Sequence, residues 1–254
     1  MTATAKTIRT ITHTTAARRG TVVRLATAAV LASMAVTAAG GTAAAAPSAP
    51  LPTFTGYGPT SSDNDGGGAT TDSPLLSPKQ VASTLGLGAL TQISSSSKLS
   101  DHEVTPSSCI STAEPAESAA YSATPQAVAQ NILKDAKDDN RITQAVVAMA
   151  SKKDAIAQMK ATLKQFKACA GTTITIHENE SGQTTWTLGD PELNSDKTVL
   201  SIMQNSAKDG TCERALAATG NVVIDVMTCT AGSAHGQGVA LATALADKAS
   251  SLTA

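Results

Sequence analysis

Two cysteines stand at equal distances from a glycine-asparagine pair, and that symmetry constrains this chain more than any other feature. Gly220-Asn221 is a two-residue hairpin loop with glycine at its first central position, and Cys212 and Cys229 flank it evenly. Regular antiparallel pairing from Thr219:Val222 outward puts the cysteines directly opposite each other, at a pair not joined by backbone hydrogen bonds. There the Cα atoms are roughly 4.5 Å apart, within disulfide reach. Cys109 and Cys169 are then left to each other, so the expectation is two bridges and no free thiol. An even set of cysteines without closely spaced pairs reads as a disulfide framework rather than a zinc site or a catalytic thiol.

Disulfides require an oxidising compartment, and the N-terminus supplies the route. Lys6, Arg9, Arg18, Arg19 and Arg24 precede an apolar run over residues 25–39, and a small-residue stretch ends in Ala43-Ala44-Ala45-Ala46. This is the pattern of a secretory signal peptide, assigned to residues 1–45 with cleavage after Ala45. The run is short for a membrane span, which needs roughly 20 apolar residues. A membrane tether is therefore expected only if this segment stays uncleaved. Arg18-Arg19 leaves a twin-arginine route open beside the general one. No cysteine lies near the cleavage site, so no lipid anchor is expected. Residues 46–74 are rich in Pro, Gly, Ser, Thr and Asp, with Gly66-Gly67-Gly68 at their centre. Such a stretch buries too little apolar surface to offset its ordering entropy and reads as a disordered linker.

Residues 75–254 then form one domain of α+β class. Ser77 and Pro78 open a short helix through Val81, Ala82 and Leu85, which Gly86 ends. Residues 90–105 read as one or two strands interrupted by the serine run 94–97. Residues 121–137 fit either a helix or an extended segment, and residues 142–149 read as a buried strand. Ser151 opens the clearest helix, with Ile156, Met159, Leu163 and Phe166 as its apolar stripe and Lys160, Lys164 and Lys167 as a solvated face. Strands at 172–177 and 184–188 flank a hairpin-type turn at Asn179-Glu180-Ser181-Gly182. Strands at 198–205, 212–219 and 222–230 follow. An alanine-rich helix with Leu241, Leu245 and Leu252 as its stripe closes the chain.

Alternation along the last hairpin sets Arg214 and Asp225 as diagonal neighbours on one face, among apolar residues. They form either a polar anchor for a ligand carboxylate or hydroxyl, or a structural ion pair at the sheet edge. Trp186, the sole tryptophan, is either a core anchor or a stacking platform for a sugar ring. His102, His177 and His235 are widely spread and read as exposed strand or turn residues. No spacing fits a metal set, a nucleophile elbow or a phosphate loop, so no catalytic residue, cofactor or metal is expected. The near-neutral charge balance (net −1) gives no nucleic-acid footprint.

Four stretches together resemble a known family: Gln165-x-x-x-Cys169-Ala170-Gly171, Thr184-Thr185-Trp186-Thr187, Cys212-Glu213-Arg214-Ala215-Leu216 and Asn221-Val222-Val223-Ile224-Asp225-Val226-x-x-Cys229. They are similar to the PknH-like extracellular domain, named for the sensor domain of a mycobacterial receptor serine/threonine kinase. The similarity runs from Leu75-Leu76-Ser77 to about Ser250. It implies a twisted, mostly antiparallel sheet with packed helices, and a cleft for an unidentified ligand. It also implies bridges between the first and second and between the third and fourth cysteines, in agreement with the hairpin register. Residues 114–141 depart most from the family pattern, and these residues hold no kinase domain. The expectation is an exported, actinobacterial-type, non-catalytic sensor-like or ligand-binding module of the cell envelope. Its partner would be an unknown small molecule or envelope component. A structural or protein-interaction domain is the alternative, and a secreted hydrolase is a third reading.

Overall fold

The hairpin predicted from the cysteine spacing lies at the centre of the sheet. In the computed structural model, which describes residues 73–178 and 182–252, β8 (Gly210–Thr219) and β9 (Val222–Thr230) pair with Thr219 opposite Val222 and Cys212 opposite Cys229. The Cys212–Cys229 bridge spans 4.0 Å between Cα atoms, and Cys109–Cys169 spans 5.7 Å. The signal-peptide assignment, residues 46–72 of the linker and the Asn179-Glu180-Ser181 turn lie outside the described residues.

Seven further strands extend that hairpin: β1 (Leu90–Ser96), β2 (Glu103–Thr105), β3 (Ala127–Asp135), β4 (Asn140–Ala148), β5 (Thr173–Glu178), β6 (Gly182–Leu193) and β7 (Val199–Ser206). They make one nine-stranded sheet in the order β1-β3-β4-β9-β8-β7-β6-β5-β2, antiparallel at every junction. Residues 127–135, for which the sequence left helix and strand open, are extended because they pair along their whole length with β4. The serine run does not interrupt β1. The strand continues through Ser94–Ser96 past a bulge at Ile93, since an edge strand with one solvated face accommodates serine readily.

Both faces of the sheet are covered. On one lie α1 (Pro78–Leu85) and α3 (Gln237–Leu252), over a core that includes Val146, Ala215, Ile224, Leu241 and Leu245. Helix α1 has the expected cap: Ser77 Oγ accepts the Gln80 N–H, and Gln80 Oε1 accepts the Ser77 N–H. On the other face lie α2 (Lys152–Cys169) and the short 3-10 turns Ser107–Thr112 and Ser118–Ala120. They cover Val147, Phe166, Ile174, Trp186 and Leu216. Coverage on both sides explains why β4, β8 and β9 are buried continuously through their centres rather than at alternate positions.

The buried stripe of α2 differs from the expected one. Ala155, Gln158, Thr162, Phe166 and Cys169 face the sheet, whereas Ile156 is 39% exposed and Met159 and Leu163 are only half-buried. The disulfide fixes this rotation. Cys169 must meet Cys109 beneath the helix, and Gln158 donates to the Ala120 carbonyl at 2.7 Å. Two specific links thus override a stripe inferred from apolar spacing alone.

Candidate functional site

Arg214 and Asp225 meet where the hairpin register places them. Arg214 Nε donates to Asp225 Oδ1 at 2.9 Å and Nη2 to Oδ2 at 2.7 Å, a two-point pairing. The pair lies in the two central strands rather than at a sheet edge, and its side chains are 1% and 0% exposed. The Phe166 ring lies beneath the guanidinium, 5.8 Å from its carbon to the ring centroid. Burial alone would lower the Arg214 pKa, but the adjacent Asp225 carboxylate outweighs it and holds the pKa above its ordinary value.

The remaining bonds of the pair run to one polar loop, residues 107–121. Arg214 Nη1 donates to the Ser111 carbonyl. Asp225 Oδ2 accepts the Ala116 N–H at 2.9 Å and the Tyr121 hydroxyl at 3.4 Å. Burial of the phenol, followed by the neighbouring Asp225 charge, pushes the Tyr121 pKa well above the usual tyrosine value. Gln204 of β7 joins them by donating to the Thr112 and Ala113 carbonyls. Sheet side chains thus grip the loop at Ser111, Thr112, Ala113, Ala116 and Tyr121. The loop is fixed by hydrogen bonds into the sheet as well as by Cys109, Ala113 and Ala116, which are buried in the core.

That fixed loop walls a cleft on the same face of the sheet. The larger lobe is a cavity of about 730 Å³ between Glu114, the β3–β4 turn at Asp138 and Asp139, and the β7–β8 turn at Lys208 and Asp209. Trp186, Gln204, Met227 and Cys229 contribute its strand-borne surface. A smaller lobe of about 300 Å³ adjoins it, sharing Glu114 and Arg141, and is lined by Ser94–Ser96, Ser100, His102 and Thr143. Acids outnumber bases around the larger lobe, with Glu114, Asp138, Asp139 and Asp209 against Arg141 and Lys208. The arrangement can enclose a drug-sized molecule that has an apolar part and several polar groups.

Trp186 is 8% exposed, packed in the core while touching the larger lobe. Arg214 and Asp225 support the cleft wall and do not line either lobe. His102 differs from its expected role as a plain exposed residue. It is half-buried, with Nδ1 2.7 Å from the fully buried Glu117, which also accepts the His102 N–H at 3.0 Å. His177 meets Thr105 and Gln183 on β5, away from both lobes, and His235 is exposed before α3. Among the described residues no group of three His, Cys, Asp or Glu could hold a metal ion.

Several of these groups escape sequence reading. Gln204 and Tyr121 act between loop and sheet, and Glu117 between two loop segments, across spans that leave no periodic signal. Arg141, Asp138 and Asp139 fall in the segment that departs most from the family pattern, yet they border the cleft. Paired strands flanking a charged turn are the one signal that could have found them.

A disulfide-braced antiparallel sheet carrying a polar cleft is the architecture of a domain suited to an oxidising compartment. The sequence pattern of the PknH-like extracellular domain matches residues 67–248, and this chain belongs to that family. It is 32% identical over 88 residues to the serine/threonine-protein kinases PknH of Mycobacterium bovis and Mycobacterium tuberculosis. That match covers 35% of this chain but only 15% and 14% of the two kinases. The crystal structure of the extracellular domain of PknH from Mycobacterium tuberculosis superposes with a TM-score of 0.63 at 23% identity. The superposition covers 70% of this chain and 93% of that one, and at this identity the likeness is one of fold. No described helix is long and apolar enough to cross a membrane.

Proposed function

We propose that this chain is an exported, non-catalytic module of the cell envelope that binds a small molecule in the cleft beside Trp186. The observation that carries this reading is the 730 Å³ lobe, whose mixed apolar and charged lining is held open by a wall anchored to buried sheet residues. Energy is spent desolvating Arg214 and Asp225, a device that favours a defined geometry over bare stability. The interaction-domain reading needs a broad apolar patch. The exposed large apolar side chains of the described residues, Ile93, Ile156 and Leu193, sit singly on β1, α2 and β6. The signal-peptide pattern and the disulfides support secretion. N-terminal sequencing of protein from the medium should begin at Ala46, and recovery only in membranes with an intact N-terminus would point to an uncleaved tether.

Because Trp186 is the only tryptophan, its emission reports directly on the larger lobe. Titration with low-molecular-mass envelope extract should shift that emission saturably, and Arg141→Ala should weaken the response by at least about ten-fold, the scale of one lost charge-assisted contact. An unchanged spectrum with every extract fraction would count against the cleft as a binding site.

A further inference from the structure

We propose that the outer face of α2 is a docking surface for the anionic headgroups of a phospholipid bilayer. At 3.6 residues per turn, Lys152, Lys153, Lys160, Lys164 and Lys167 fall within an arc of about 120°. All five are exposed, and none takes part in an ion pair among the described residues. The helix's one acid, Asp154, lies outside that arc and is engaged at the N-cap, where the Ser151 hydroxyl donates to it at 2.7 Å. One helix thus holds five of the nineteen basic side chains and one of the twenty acidic ones, in a chain of net charge −1. Charge segregation of this kind makes the outer face of α2 cationic.

The second observation separates a bilayer from a hydrated polyanion. Ile156 is exposed in the middle of the lysine arc, and with Ala157 and the stems of Lys152, Lys153 and Lys160 it lines a shallow apolar depression. A soluble polyanion would leave that apolar surface in water. At a bilayer, Ile156 can reach the boundary between headgroups and acyl chains while the lysine ammonium groups stay among the phosphates. This surface is separate from the cleft, so its failure would leave the ligand-binding proposal standing.

The test uses the full chain and reads the helix locally, because the basic N-terminal segment could itself bring the protein to anionic vesicles. Lysines are acetylated in the presence of vesicles of equimolar phosphatidylglycerol and phosphatidylcholine, of phosphatidylcholine alone, or of soluble polyphosphate, and modification is read by mass spectrometry. With the anionic vesicles Lys153, Lys160 and Lys164 should react about ten-fold more slowly, since each lysine near such a surface strengthens partitioning by about five-fold. Exposed Lys79 and Lys197 should react as they do without lipid. Protection should vanish at about 0.5 M salt, where the Debye length falls below 5 Å. Ile156→Ser, which alters only an exposed side chain, should weaken the protection several-fold. Equal acetylation with and without anionic vesicles would overturn the proposal. Protection by polyphosphate equal to that by vesicles would also overturn it, assigning the face to a soluble polyanion.

Discussion

Asp225 holds the guanidinium of Arg214 with both carboxylate oxygens and the cleft-wall loop with one of them. Asp225→Asn should therefore leave a buried cation without its counter-charge and cost about 3–5 kcal/mol of stability, measured by urea unfolding. Replacing the pair together, with Arg214→Met and Asp225→Leu, should cost less, because no charge is then buried unpaired. Tyr121 supplies a pH signature at the same place. Its folded-state pKa is raised by burial and by Asp225, so its contribution is complete below about pH 10 and is lost as pH rises through the folded value. Unfolding midpoints should fall more steeply above pH 10 in the natural protein than in Tyr121→Phe. Parallel alkaline slopes would show that the hydroxyl is not coupled to Asp225. The Arg214–Asp225 contact was legible in the sequence because a two-residue loop fixes register, and register fixes which side chains share a face. Tyr121 and Gln204 were not, since Tyr121 meets Asp225, and Gln204 meets the Thr112 and Ala113 carbonyls, across spans that no local pattern encodes.

The loop over residues 107–121 is held by the Cys109–Cys169 bridge, by its buried Ala113 and Ala116 and by hydrogen bonds, with Gln204 bridging two of its carbonyls. Gln204→Leu should strip those carbonyls of partners. Amide exchange in the loop should speed up by about ten-fold or more, the effect of one buried hydrogen bond, while β8 and β9 stay protected. Uniform acceleration through the sheet would indicate global destabilisation instead. At this scale, strands were readable wherever apolar runs and turn residues coincided, as in β4, β7, β8 and β9. The serine-rich edge strand β1 and the mixed β3 were harder, because pairing with neighbouring strands imposes extended structure on residues whose own pattern does not demand it. The α2 stripe was misplaced for a different reason. Ile156 is apolar but exposed, and Gln158 and Thr162 are polar but buried, because the Cys109–Cys169 bridge and the Ala120 carbonyl set the rotation of the helix.

The described domain is one sheet clamped by two bridges, one across its central hairpin and one between a loop and a helix end. Loop-closure entropy puts the longer bridge at about 4 kcal/mol and the shorter at about 3 kcal/mol. Under non-reducing conditions a peptide map should show Cys109 with Cys169 and Cys212 with Cys229. Cys109→Ser/Cys169→Ser should unfold at lower urea than the natural chain by the larger amount. The architecture and both bridges were legible because cysteine spacing and hairpin geometry are local constraints with long-range consequences. The border of the cleft was not, since it comes from three separated turns that only the folded sheet brings together. Native mass spectrometry of protein gathered from its own culture medium tests the central claim most directly. The account predicts a stoichiometric small-molecule adduct that Arg141→Ala loses while Ile156→Ser retains it. A bare polypeptide mass under gentle conditions, in every preparation of the natural chain, would contradict it.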